Sequence, residues 1–142
     1  MSMQLDKVQP KNKRQLKQLI NYAFKHNIYD LNFIDTSEIT DMSLLFSNRM
    51  HNFDVSSWDV SNVTNMGYMF YHCKNFNCDL SNWDVSKVKN MNYMFYDCKN
   101  FNYDISDWDI SNMTRWKNVF CGCDKITIPN WYKKLYIVKN KI

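Results

Sequence analysis

Glycine and proline are nearly missing from this 142-residue chain, which has two of each. Turns must therefore rest on other residues that tolerate unusual backbone angles, and the plentiful Asn and Asp do so by hydrogen bonding to their own backbone. No stretch approaches membrane-spanning length, and the start Met1-Ser2-Met3-Gln4-Leu5-Asp6-Lys7 lacks the apolar core of a signal peptide. On this reading the protein is cytoplasmic and is not inserted in a membrane. There is no glycine-rich turn to suggest an oxyanion hole, and His26, His51 and His72 lie in non-equivalent places, so cysteine catalysis is poorly supported. Cys121-x-Cys123 has the wrong spacing for paired Cys-x-x-Cys zinc ligands. The expectation is a protein that is not an enzyme, with no cofactor and no metal.

What the chain does have is repetition. Trp58, Trp83 and Trp108 stand 25 residues apart, each followed by Asp, and most residues between them recur in register. One unit runs from Phe76 to Asn100 and the next begins at Phe101; the preceding one starts at His51, and residues 35–46 match 59–70 at an offset of 24. Three full units after a degenerate one are enough to bury a continuous core between neighbours. The chain reads as one domain, with an N-terminal helical cap over 1–33, the degenerate repeat over 34–50, three repeats over 51–125 and a C-terminal cap over 126–142.

The charge is uneven along this array. Residues 30–109 hold 12 Asp/Glu against 5 Lys/Arg, a net of −7, and the two ends together carry 13 Lys/Arg against 2 Asp/Glu, a net of +11. An acidic body repels phosphate backbones, which argues against nucleic acid along it. The basic ends read as solvated cap faces.

Met66, Met69, Phe70 and Cys73 fall at i, i+3, i+4 and i+7, as do Met91, Met94, Phe95 and Cys98, which predicts a helix of about two turns in each unit. The alternation over Asp79–Val85 predicts a short strand around Trp83-Asp84-Val85, parallel to its equivalents at 58–60 and 108–110. The columns Val60/Val85/Ile110, Val63/Val88/Met113, Met66/Met91/Trp116, Met69/Met94/Val119 and Phe70/Phe95/Phe120 are the candidate core. Leu16, Leu19, Ile20, Ala23 and Phe24 form the apolar stripe of an N-terminal helix, and Trp131, Leu135 and Val138 recur at helical spacing after Pro129. The column Cys73/Cys98/Cys123 reads as small apolar filler.

The unit Phe-Asn-x-Asp-(Ile/Leu)-Ser-x-Trp-Asp-(Val/Ile)-Ser-x-Val-x-Asn-Met-x-x-Met-Phe-x-x-Cys resembles the 25-residue repeat of the BspA-like leucine-rich repeat surface proteins, also called the DUF285 or mycoplasma lipoprotein-type repeat. The likeness covers residues 10–125 or so. It implies an α/β fold, a leucine-rich-repeat-like right-handed solenoid of short parallel strands and short helices with helical caps at both ends. Many such relatives are bacterial surface or secreted proteins, some implicated in adhesion, and the repeat itself carries no enzymatic residues to transfer.

The candidate sites are therefore weighed on the residues alone. Tryptophan at one repeat position packs between turns with its indole N–H on backbone, or else forms an exposed ladder for carbohydrate or peptide. The columns Asp54/Asp79/Asp104 and Asp59/Asp84/Asp109 are the best case for calcium, but single carboxylates one repeat apart lack its dense oxygen cluster, and turn bonds satisfy them more simply. Positions that vary between units carry whatever specificity exists. These give a run of tyrosines, Tyr68, Tyr71, Tyr93 and Tyr96, flanked by His72 and Asp97. Tyrosines there either form an interface or shield the methionines beneath them. The expected function is a non-catalytic protein-interaction scaffold, such as an intracellular inhibitor or immunity-type binding protein, monomeric and with a protein partner of basic surface. The alternative is a surface adhesin that binds host protein or glycan.

Overall fold

The period of the sequence becomes the period of the backbone hydrogen bonds. In a computed structural model, which describes residues 7–140, the N–H groups of Met66, Tyr68, Phe70 and His72 donate to the carbonyls of Asn90, Asn92, Met94 and Tyr96. Those of Met91, Tyr93, Phe95 and Asp97 donate in turn to Arg115, Lys117, Val119 and Cys121, all at 2.7–3.0 Å. Met42, Leu44, Phe46 and Asn48 begin the same ladder one coil earlier. Four coils are thus clamped one on the next through every second N–H. Residues 1–6 and 141–142, the outermost parts of the two expected caps, lie outside the described residues.

This arrangement overturns the strand-and-helix solenoid. Among the described residues there are two α-helices, isolated parallel bridges such as Asp41 with Asn65 and Asn65 with Asn90, and no named strand or sheet. The expected helix at 66–73 is a run of turns. Met69, Tyr71 and Cys73 bond back to Met66, Tyr68 and Phe70, and the intervening N–H groups leave for the next coil, so no i→i−4 ladder can form. Left-handed residues recur every fourth position, at Tyr68 and His72, at Tyr93 and Asp97, and at Leu44 and Asn48.

The expected strand at Trp83 is also replaced by turns. Asp79 Oδ1 accepts the Ser81 N–H and Asp84 Oδ1 accepts the Ser86 N–H, both at 3.0 Å, and two side-chain turns five residues apart leave no room for an extended run. The same Asp-x-Ser turn closes at Asp54, Asp59, Asp104 and Asp109. Aspartate thus takes over the work that glycine does elsewhere. Asparagines add bonds between coils, with Asn52 Oδ1 accepting the Asn77 N–H and Asn77 Oδ1 that of Asn102.

The core runs along the inside of the stack. The candidate columns are buried, except Ile110 and Trp116 in the last coil, which are half-buried. Phe46, Phe70, Phe95 and Phe120 stack ring on ring at 5.7, 5.4 and 5.7 Å, and Phe53, Phe76 and Phe101 line up beside them. Trp58, Trp83 and Trp108 are at most 5% exposed and donate their indole N–H groups to the carbonyls of Leu31, Val55 and Leu80. Among the described residues no buried side-chain nitrogen or oxygen lacks a partner.

Helix α1, Lys13–Lys25, covers the first coil. The Asn12 side chain caps it by accepting the Gln15 N–H, Leu16, Ile20 and Ala23 are fully buried, and Asn27, left-handed in place of a glycine, ends it. Helix α2, Asn130–Asn140, covers the last coil, where Trp131 and Tyr132 pack on Phe120. Trp131 also donates its indole N–H to Ile105, so the helix supplies a fourth member of the tryptophan ladder.

Candidate functional site

The outward-facing residues of the turn ladder form one continuous patch. At Tyr68, Tyr93, His72 and Asp97 the positive φ turns the side chain away from the buried Met66, Met69 and Phe70, so these positions are free of the core. Repetition then stacks equal side chains. Tyr68 lies on Tyr93 with ring centroids 4.8 Å apart, Tyr71 on Tyr96 at 5.1 Å, and Tyr68 meets Tyr71 at 5.4 Å. The result is a two-by-two tile of tyrosine rings that is partly open to solvent, Tyr68 most of all at 37%.

His72 and Asp97 border this tile. The His72 ring stands edge-on against Tyr71 and Tyr96, and its Nδ1 lies 2.9 Å from Asp97 Oδ2. The other carboxylate oxygen of Asp97 accepts from Lys99 Nζ at 2.8 Å, and Lys99 reaches on to Asp124 at 3.5 Å. The hydrogen bond from Lys99 holds the Asp97 carboxyl below its ordinary value, with partial burial opposing and His72 assisting. Lys117 lies over the Tyr93 ring at 5.9 Å from its centroid, within cation–π range. All six residues singled out in the sequence, Tyr68, Tyr71, Tyr93, Tyr96, His72 and Asp97, thus meet in one place. Lys99, Asp124 and Lys117 complete the border, and the 25-residue offset that pairs His72 with Asp97 was the signal that could have located them.

The other candidates are tied up in structure. The column thiols of Cys73, Cys98 and Cys123 donate to the carbonyls of Phe46, Phe70 and Phe95 at 2.8–2.9 Å. Burial pushes the pKa values of Cys73 and Cys123 up to about 12, and that of Cys98 up as well, which keeps these thiols neutral and weakly nucleophilic. Cys121 is exposed. His26 packs on Tyr22 and His51 on Tyr29, so neither joins His72 in the tile's border. The aspartate columns close turns, and among the described residues no group of three His, Cys, Asp or Glu could hold a metal ion. No helix among them is long and apolar enough to cross a membrane.

A stack of turn-built coils with one exposed aromatic tile and no assembled ion site has the build of a tandem-repeat protein that offers a surface. The sequence model of the family described as "Mycoplasma protein of unknown function, DUF285" matches residues 14–131, and the chain belongs to that family. No curated protein and no solved structure matches the chain.

Proposed function

We propose that the protein is a non-catalytic scaffold that binds a protein partner through the tyrosine tile. The observation that carries this reading is the tile itself, four rings held by a rigid ladder with their outer faces open. Rigid tyrosines contribute amphipathic contact area at little conformational cost, since stacking on the next coil already restricts their side chains. His72, Asp97 and Lys99 add a polar border of the kind that surrounds the centre of an interface. The acidic body, net −7 over residues 30–109, favours a partner with a basic surface through faster encounter. An intracellular inhibitor or immunity-type role is one concrete form.

The test is affinity capture from an extract of the source cells, with the intact chain and a Tyr71→Ala/Tyr96→Ala variant as baits. The same partner should be recovered by the first and lost by the second, in direct titration as well as capture. Recovery of nothing specific, or equal binding by both baits, would overturn the reading. The likeness of the repeat unit to BspA-like surface proteins favours a second reading, an adhesin that binds host protein or glycan. Finding the native protein only in the cytosolic fraction would dispose of that one.

A further inference from the structure

Away from the tile, the stack has two oppositely charged features. On α1 the exposed residues Arg14, Lys17, Gln18, Tyr22 and Lys25 share the face turned away from Leu16, Ile20 and Ala23. Lys11 and Lys13 are paired with Glu38 and Asp41, whereas Arg14, Lys17 and Lys25 have no ion-pair partner among the described residues.

On the flank, a cavity of about 430 Å³ is lined by Tyr29, Asp30, Asp54, Asp79 and Tyr103, and an adjoining one of about 350 Å³ extends it past Asp104 and Asp107. Together they make an acidic groove along the stack with aromatic walls. Asp30, Asp54, Asp79 and Asp104 each spend Oδ1 on a turn bond, which leaves Oδ2 without a partner among the described residues. None of the four has a cation within ion-pair distance there. A row of like charges one coil apart is self-repelling, and a row of cations laid along it relieves that.

We propose that the basic face of α1 in one copy docks in the carboxylate groove of a second copy. The charges are complementary and the lengths agree. Arg14 to Lys25 spans about 16 Å at the rise of an α-helix. Asp30 to Asp104 spans three coil steps of about 5 Å, the separation of the stacked tyrosines and close to ordinary backbone hydrogen-bond spacing. Each copy offers one end and one flank, so the contact is heterologous and can add further copies without closing. It departs from the monomer expected of the sequence, and it is independent of the tyrosine tile.

Sedimentation over a concentration series tests it. At about 0.01 M ionic strength, where screening reaches only over about 30 Å, the average mass should rise with concentration; at about 0.5 M it should return to that of one chain. The charge-reversed Arg14→Glu/Lys17→Glu/Lys25→Glu variant should stay a single chain at low salt. Asp79→Asn/Asp104→Asn, which keeps the turns because an amide oxygen accepts the same N–H, should weaken assembly about tenfold. Circular dichroism confirms that each variant is folded. The mass of one chain at every concentration in low salt, or assembly unchanged in both folded variants, would overturn the proposal.

Discussion

Trp83 shows how a single residue ties two coils together. Its ring fills the core and its indole N–H reaches the Val55 carbonyl at 3.1 Å, 28 residues back. Trp83→Phe keeps most of the apolar volume but leaves that buried carbonyl unpaired, so it should cost about 1–3 kcal/mol in urea unfolding. A loss near zero would mean that the indole bond adds nothing. Leu44 is the opposite case. It occupies a left-handed position with φ 62° and is 53% exposed, in the column where the last coil has Asn118 at φ 52°. Leu44→Asn should stabilise the protein by about 1 kcal/mol, because Asn visits this region far more readily than leucine does. A lower urea midpoint for this variant would show that Leu44 makes a contact worth more than its strain.

At the scale of the element, the structure explains why its own turns read as helices. Turns of four residues placed end to end bury positions 66, 69, 70 and 73, and over eight residues that pattern cannot be told from a helical repeat of 3.6. What separates the two is the destination of the N–H groups, which no apolar pattern records. The core columns and the tyrosine tile were legible because a strict period carries burial and exposure from one unit to the next. Trp131 was not, because it lies 23 residues after Trp108 instead of 25 and belongs to a helix as well as to the ladder. The Asp-x-Ser turns are the device that replaces glycine, and they set the acid limit of the fold. At Asp84 and Asp109 the Ser86 and Ser111 side chains and N–H groups lower the carboxyl pKa below the ordinary 3.8. A lowered folded-state value stabilises the fold above the unfolded value and is lost as pH falls through the folded one, so stability should drop progressively below about pH 4. Asp84→Asn/Asp109→Asn keeps an acceptor that does not titrate. Thermal unfolding at pH 5 and pH 3 should show the variant losing less stability than the parent; equal losses would place the acid sensitivity elsewhere.

For the whole molecule, the ladder implies a gradient of stability along the stack. Each inner coil is held on both sides, by the N–H groups that it sends forward and the carbonyls that receive from the coil before, with a phenylalanine stacked above and below. The last coil lacks one side of this. Its Trp116, Asn118, Phe120 and Gly122 occupy the ladder's donor positions, and their N–H groups have no acceptor among the described residues; α2 covers the coil with side chains alone, chiefly Trp131 and Tyr132. In a repeat array, stability is close to a sum of unit and neighbour terms, so the end with fewer neighbour terms should open first. Amide hydrogen exchange followed by NMR reads this residue by residue. Phe70, His72, Phe95 and Asp97 should exchange only with global unfolding, while Asn118 and Gly122 exchange faster by orders of magnitude. Alternation should appear too within the inner coils, since the ladder N–H of Phe70 is locked to the next coil and that of Tyr71 closes only a local turn. Uniform protection from residue 66 to 73 would instead be the signature of an α-helix, and would refute the ladder that places the tyrosine tile.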